Sequence, residues 1–254
     1  MMRSLLLYAV AAVAAAQTPV FVEIPAGSFE MGCGPGWPCA ESLPKKRIEI
    51  ERFRIAKTET TVAQFRSFVR AAAYLTDAEK AGDTYTWQRP GFQLNENQPV
   101  VFMTLNDAKR YCEFVGARLP FEAEWEYAAR AGSTTFHYWG DEIDGRYLWY
   151  FGNTDEHPEP VGRKRPNAWG LFDVEGNAME WVLGGGPHSS VTRPGTGTVR
   201  GGSYAMCPEP YPPDHGKRQR FIGLGPAFPG AANSNFRPEE RRFDYGFRCA
   251  QTIR

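Results

Sequence analysis

The sequence predicts an irregular α+β domain with little regular secondary structure, on three observations. First, 26 glycines and 20 prolines supply the backbone angles of tight turns and interrupt longer elements. Second, 42% apolar and 14% aromatic residues provide for a sizeable core. Third, helical periodicity is confined to a few short stretches and fades after Gly132 into loops punctuated by Gly, Pro and Trp. A length of 254 residues with no internal repeat and no linker-like segment favours one domain.

Strand-like runs come first, at residues 20–25, then after a turn across 26–32, then around Ile48, Ile50, Phe53 and Ile55. A helix is predicted to start near Thr61. Thr61 and Gln64 have capping-box spacing, and Val62, Phe65, Phe68 and Val69 recur on one helical face. A second helix should follow Thr104. Asp107 in its first turn suits the helix dipole, and Leu105, Ala108, Tyr111, Cys112 and Val115 mark its buried side. A third is predicted over residues 122–130, closed by Gly132.

Basic and acidic residues balance at 29 each, which gives no general attraction to nucleic acid or to an anionic membrane. The first 16 residues read as a signal peptide. Arg3 precedes a short apolar run, and Ala14, Ala15 and Ala16 offer a small-residue cleavage site before Gln17. The apolar run is shorter than the ~20 residues a spanning helix needs. A retained anchor or a buried first helix is the alternative. The expectation is a mature domain at 17–254, secreted or periplasmic, monomeric and free of the membrane.

Five cysteines, Cys33, Cys39, Cys112, Cys207 and Cys249, fit an oxidising compartment. Their odd number leaves at least one thiol unpaired within the chain. Cys33 and Cys39 enclose a turn-rich Gly-Pro-Gly-Trp-Pro interval that allows a local disulfide. No suitably spaced His or Cys completes a four-ligand metal site with them.

Several segments together resemble the formylglycine-generating-enzyme, or sulfatase-modifying-factor, family. They are IPAGSFEMG at 24–32, PVVFMTLNDAKRYCEFVGARLPFEAEWEYAARAG at 99–132, PVGRKRPNAWGLFDVEGNAMEWV at 160–182, VRGGSY at 199–204 and YGFRCA at 245–250. Each alone is weak, but they occur in the family's order across nearly the whole mature chain. The resemblance implies a C-type-lectin-like fold. It does not select an activity, because members oxidise a sulfatase cysteine to formylglycine with copper and oxygen, carry out other reactions, or only bind ligands.

The resemblance also implies a structural calcium, held by the side chains of Asp173 and Glu180 and the carbonyls of Gly176 and Ala178. Hard oxygen donors in a short loop suit that ion. The residues alone also allow a turn in which Asp173 caps backbone N–H groups and Glu180 pairs with an arginine. A second calcium site of the family is not carried over: Asn153 and Asp155 are present, but the surrounding pattern departs.

The resemblance further implies a Cys112–Cys249 disulfide. Copper-dependent members place two cysteines five apart after the GGS segment, both thiolates binding copper(I). Here the segment reads GGSYAMCPEPYPPDH. Cys207 is displaced by one position, and Tyr211 or Pro212 stands where the second cysteine belongs. The paired site is absent, so copper is disfavoured. An atypical oxidative site around Ser203, Met206 and Cys207, with His215, is the alternative to Met206 as packing and Cys207 as a bare thiol.

Residues 186–244 depart most from the family. In the family this region lines the substrate groove, and the resemblance implies groove contacts at Ser203 and Asp244; Arg220 is a candidate contact from the basic stretch of Lys217, Arg218 and Arg220 interleaved with Phe221, Phe228, Phe236 and Phe243. Arginine can hold carboxylate or phosphate in a fork and phenylalanines can wall a groove; a solvated loop over packed phenylalanines is the alternative. Asp244 stands where an asparagine is usual, which favours a donor-bearing or cationic ligand locally. The expected function is binding of a peptide, protein or small molecule in that groove. The alternative is an oxidative maturation enzyme acting through Cys207.

Overall fold

The computed structural model describes residues 18–32, 45–184, 195–206 and 236–253. The expected signal peptide at 1–16, Cys33, Cys39, Cys207, His215 and Arg220 lie outside the described residues.

Three small sheets carry the strands. Strand β1 (Phe21–Ile24) pairs antiparallel with β4 (Phe53–Ala56), which pairs antiparallel with the C-terminal β8 (Ala250–Thr252). Strands β2 (Gly27–Met31) and β3 (Lys46–Ile50) form a two-stranded sheet. The third sheet places β5 (Met179–Leu183) between antiparallel β6 (Gly197–Arg200) and parallel β7 (Tyr245–Gly246). The four early strands fall where the apolar runs predict them.

The helices are short and capped by their own sequence. Helix α1 (Val62–Ala72) begins at Thr61, whose N–H donates to Gln64 Oε1 at 2.9 Å while its hydroxyl accepts from Gln64 N at 3.3 Å. Helix α3 (Leu105–Phe114) repeats the device with Thr104 and Asp107. Helix α4 (Glu122–Arg130) spans the predicted residues and closes through Ala131 in the left-handed region, one residue before the expected Gly132. Helix α2 (Asp77–Ala81), capped by Thr76 and Glu79, is not predicted; five residues are too few to show an amphipathic period.

Two apolar clusters fill the interior. One joins Phe65, Phe68, Trp87, Tyr111, Trp181, Tyr245 and Phe247. The other joins Ile24, Phe53, Ile55, Trp125, Leu171 and Val182. Cys112 on α3 and Cys249 before β8 meet in the first cluster with sulfurs 2.02 Å apart. Among the described residues no helix is long and apolar enough to cross a membrane.

Candidate functional site

The loop leading into β5 holds Asp173, Gly176 and Ala178 of the expected calcium site, and Glu180 is the second residue of β5 itself. Asp173 has φ +53°, and Gly176 has φ +81°. A side chain at Gly176 would collide with the Trp149 backbone, so glycine answers both the left-handed conformation and the close approach. Asp173 and Glu180 are both buried. Asp173 Oδ2 accepts from Gly162 N at 2.6 Å, while its Oδ1 is buried without a hydrogen-bond partner.

Glu180 is differently placed. Its Oε2 accepts from Trp125 Nε1 at 2.8 Å and from Arg248 Nε at 2.6 Å, and its Oε1 accepts from Arg248 Nη2 at 2.7 Å. Arg248, fully buried, also donates to the carbonyls of Ala56, Phe172 and Asp173. Both features of the simple turn are therefore present: an Asp173 oxygen on a backbone N–H, and Glu180 on an arginine. For a bound cation, the fit divides between the two side chains. Asp173 Oδ1 is open to an added ligand, whereas both Glu180 oxygens already accept charged or polar donors.

A third carboxylate, Glu59, joins them, and sequence reasoning passed over it. Its Oε1 accepts from Ala178 N at 2.9 Å and its Oε2 from Asn177 Nδ2 at 3.0 Å. Burial, together with repulsion from Asp173 and Glu180, raises the Glu59 pKa well above the carboxylate range. Burial likewise pushes Asp173 up to about 6, with Glu180 adding to the rise and Gly162 N–H and Arg248 opposing it. Three carboxylates thus face one guanidinium, an arrangement that favours a bound proton or cation. Among the described residues no three His, Cys, Asp or Glu side chains converge as a metal shell; the expected calcium site asks for two such side chains and two carbonyls.

The groove residues lie one strand away. Strand β7 runs beside β5, and Asp244 O accepts from Met179 N at 2.8 Å. The Ser203 hydroxyl donates to Asp244 Oδ2 at 2.9 Å. Asp244 Oδ1 lies 3.6 Å from Arg242 Nε and has no hydrogen-bond partner. Burial raises the Asp244 pKa, while Arg242 and the Ser203 hydrogen bond hold it down. The structure therefore brings Ser203 and Asp244 together.

Aromatic side chains stand close by: Phe243, one of the phenylalanines expected to wall the groove, and Tyr85, Phe102 and Tyr204, which sequence reasoning missed. Phe102 has φ +63° and donates its N–H to the Arg242 carbonyl at 3.1 Å. A bulky side chain in that region stores backbone strain. Its ring stacks on exposed Tyr85 at 6.1 Å, and Phe243 packs on Tyr204 at 6.1 Å. The positive φ has no sequence signal, since Phe102 reads as one more apolar residue in a Val-Val-Phe-Met run. Met206 is buried in the first apolar cluster, so its thioether serves as packing, as one of the two expectations had it.

The fold and these sites define a C-type-lectin-like domain of the formylglycine-generating-enzyme type. Residues 8–253 match the sulfatase-modifying factor enzyme 1-like domain, and the chain belongs to that family. It is 32% identical to the formylglycine-generating enzyme of Streptomyces coelicolor over 90% of this chain and 88% of that protein. It is 31% identical to the inactive C-alpha-formylglycine-generating enzyme 2 of Mus musculus, over 66% of this chain and 69% of that protein. Among solved structures, PvdO from Pseudomonas aeruginosa superposes with a TM-score of 0.70 at 24% identity, covering 94% of this chain and 97% of that one. CarF gives 0.62 at 19% identity, covering 94% of this chain and 100% of that one.

Proposed function

We propose that this chain is an exported, monomeric binding member of the family that holds a peptide or small ligand in the groove at Ser203 and Asp244, with Arg220 contributing. The carrying observation is the buried Ser203–Asp244 pair, whose Asp244 Oδ1 is left without a hydrogen-bond donor. An unmet buried carboxylate oxygen rewards a ligand that brings an N–H or a cationic group. The aromatic rim at Tyr85, Phe102 and Phe243 supplies apolar walls. Formylglycine formation with copper is not part of this reading, because Cys207 is the single cysteine in the stretch just after the GGS segment, Cys249 being bridged to Cys112, and one thiolate does not make the two-sulfur copper(I) site.

A sulfatase-type Cys-x-Pro-x-Arg peptide tests both halves. No aldehyde should form with copper and oxygen. The same peptide, titrated by fluorescence polarisation, should bind equally to wild type and Cys207→Ala, and at least tenfold more weakly to Asp244→Asn. Copper-dependent aldehyde that disappears in Cys207→Ala would overturn the reading in favour of an oxidase acting through one cysteine. Failure of wild type to bind would remove the peptide from it.

A structural calcium, engaged through Asp173 with the carbonyls of Gly176 and Ala178 and with Glu180 alongside, completes the proposal. It would neutralise the carboxylate excess and pin the loop, with no part in redox chemistry. An ion that binds only the folded chain raises its stability. Chelation should therefore lower the melting temperature, and Asp173→Ala should abolish the response. An unchanged melting curve, together with no calcium by elemental analysis of the purified protein, would assign the neutralising role to Arg248 and bound protons.

A further inference from the structure

Beside the Ser203–Asp244 pair stands a cation of this chain's own. Arg242 lies two residues before Asp244, and its Nε is 3.6 Å from Oδ1, the oxygen that accepts no hydrogen bond. The Ser203 hydroxyl holds the other oxygen, Oδ2, at 2.9 Å, which leaves Oδ1 on the Arg242 side. The two groups offset each other's charge without closing a hydrogen bond between them.

Arg242 is held in place on several sides. Its guanidinium carbon lies 5.5 Å from the centroid of the Phe243 ring and 5.4 Å from that of Tyr245, within reach of the attraction between a cation and a ring face. Its carbonyl accepts from the N–H groups of Phe102 and Tyr245, each at 3.1 Å. Phe102 makes that bond at its φ of +63°, a strained conformation of the kind that clusters at ligand sites. The Arg242 side chain is 30% exposed against 2% for Asp244, so solvent reaches the guanidinium and the carboxylate is the deeper group.

This neighbour changes the class of ligand that Asp244 would select by itself. A lone buried carboxylate favours a cation. With Arg242 alongside, a cation meets a like charge and competes for a carboxylate already offset. An anion meets the guanidinium but also the buried carboxylate, and it leaves Oδ1 without a donor. A neutral primary carboxamide avoids both conflicts. Its N–H donates to Oδ1, and its carbonyl oxygen accepts from the guanidinium, which carries more donors than one ion pair takes up. Resting on the groove reading above, the geometry points to Arg242 as the specificity-determining residue of the site, setting it for a neutral carboxamide and against cationic ligands. An aromatic ring packed on exposed Phe243 and Tyr85 or a glutamine-like chain supplies that group equally well.

Benzamide, benzamidine and benzoate have nearly the same shape and differ in the charge of the head group. In NMR titrations of the full mature chain, benzamide should bind at least tenfold more tightly than either of the others. Propionamide carries the same head group without the ring, and whichever amide binds more tightly assigns the ring or the chain as its source. Arg242→Met, which keeps an apolar contact with the rings, should reverse the order, with benzamidine binding at least tenfold more tightly than benzamide. Arg242→Lys keeps the charge and should still reject benzamidine, so the idea stays testable if Arg242→Met fails to fold. The inference is overturned if benzamidine or benzoate matches the amides on wild type, if Arg242→Met leaves the order unchanged, or if Arg242→Lys binds benzamidine as tightly as benzamide. If no probe binds while the Cys-x-Pro-x-Arg peptide does, this inference falls alone. If the peptide fails as well, the groove reading falls with it.

Discussion

Replacing Arg248 with methionine is expected to cost at least 3–5 kcal/mol of folding stability, the usual range for breaking a buried ion pair. The physical reason is an uncompensated charge. Arg248 donates twice to Glu180 and faces Glu59 and Asp173 electrostatically. Without it, the three carboxyl groups of Glu59, Asp173 and Glu180 are buried with no guanidinium among them. Double substitution of Arg248→Met with Glu180→Gln should recover part of the loss, because it removes the best-paired carboxylate together with its partner. Urea unfolding of the two single variants and the double variant measures the coupling. Additive losses would show that Arg248 acts through the backbone carbonyls rather than through Glu180.

The same cluster predicts a pH dependence. Glu59 and Asp173 have pKa values raised by folding. A carboxyl group of that kind contributes its full stability below its unfolded value, near 4, and loses it as pH rises through the folded value, about 6 for Asp173. The Arg248→Met penalty should accordingly be larger at pH 8 than at pH 5, where a protonated Asp173 needs no counter-ion.

Local chemistry was legible in the sequence and distant pairing was not. Thr61 with Gln64 and Thr104 with Asp107 announce helix starts because both halves of a capping box lie within four residues. Thr76 with Glu79 carries the same signal, but no apolar period follows it in a five-residue helix. Strands β5, β6 and β7 went unpredicted because β5 is buried on both sides and finds its partners only through the fold. β7 is two residues long, and no periodicity exists at that length.

The candidate sites divide in the same way. Asp173 and Glu180 lie within eight residues of each other, in one segment that family resemblance brought forward. Glu59 reaches Asn177 across 118 positions and Arg248 reaches Glu180 across 68, so their roles appear only in three dimensions. The Ser203–Asp244 pair spans 41 positions, and family resemblance rather than spacing brought those two residues forward. Trp169 reads as part of a family segment, and its contact with Tyr127 emerges only from the packing of its turn against α4.

Substituting Cys112 and Cys249 together by alanine is expected to destabilise the chain by about 5 kcal/mol. The bridge joins positions 137 apart, and closing a loop of that length removes about 5 kcal/mol of chain entropy from the unfolded state. Its placement ties helix α3 to the segment entering β8. That segment also carries Arg248 and supplies the central β4 with its second neighbour. Cutting the bridge therefore frees the unfolded chain and weakens the anchor of the strand beside the carboxylate cluster. Both sulfurs lie in the apolar core, so alanine also leaves a cavity, adding to the loss. Reduction without substitution should give most of the same effect, since two thiols still fill the space. Thermal melts of oxidised, reduced and double-alanine protein separate the contributions. An unchanged melting temperature on verified reduction of this bridge would show that core packing, rather than chain entropy, holds the two segments together.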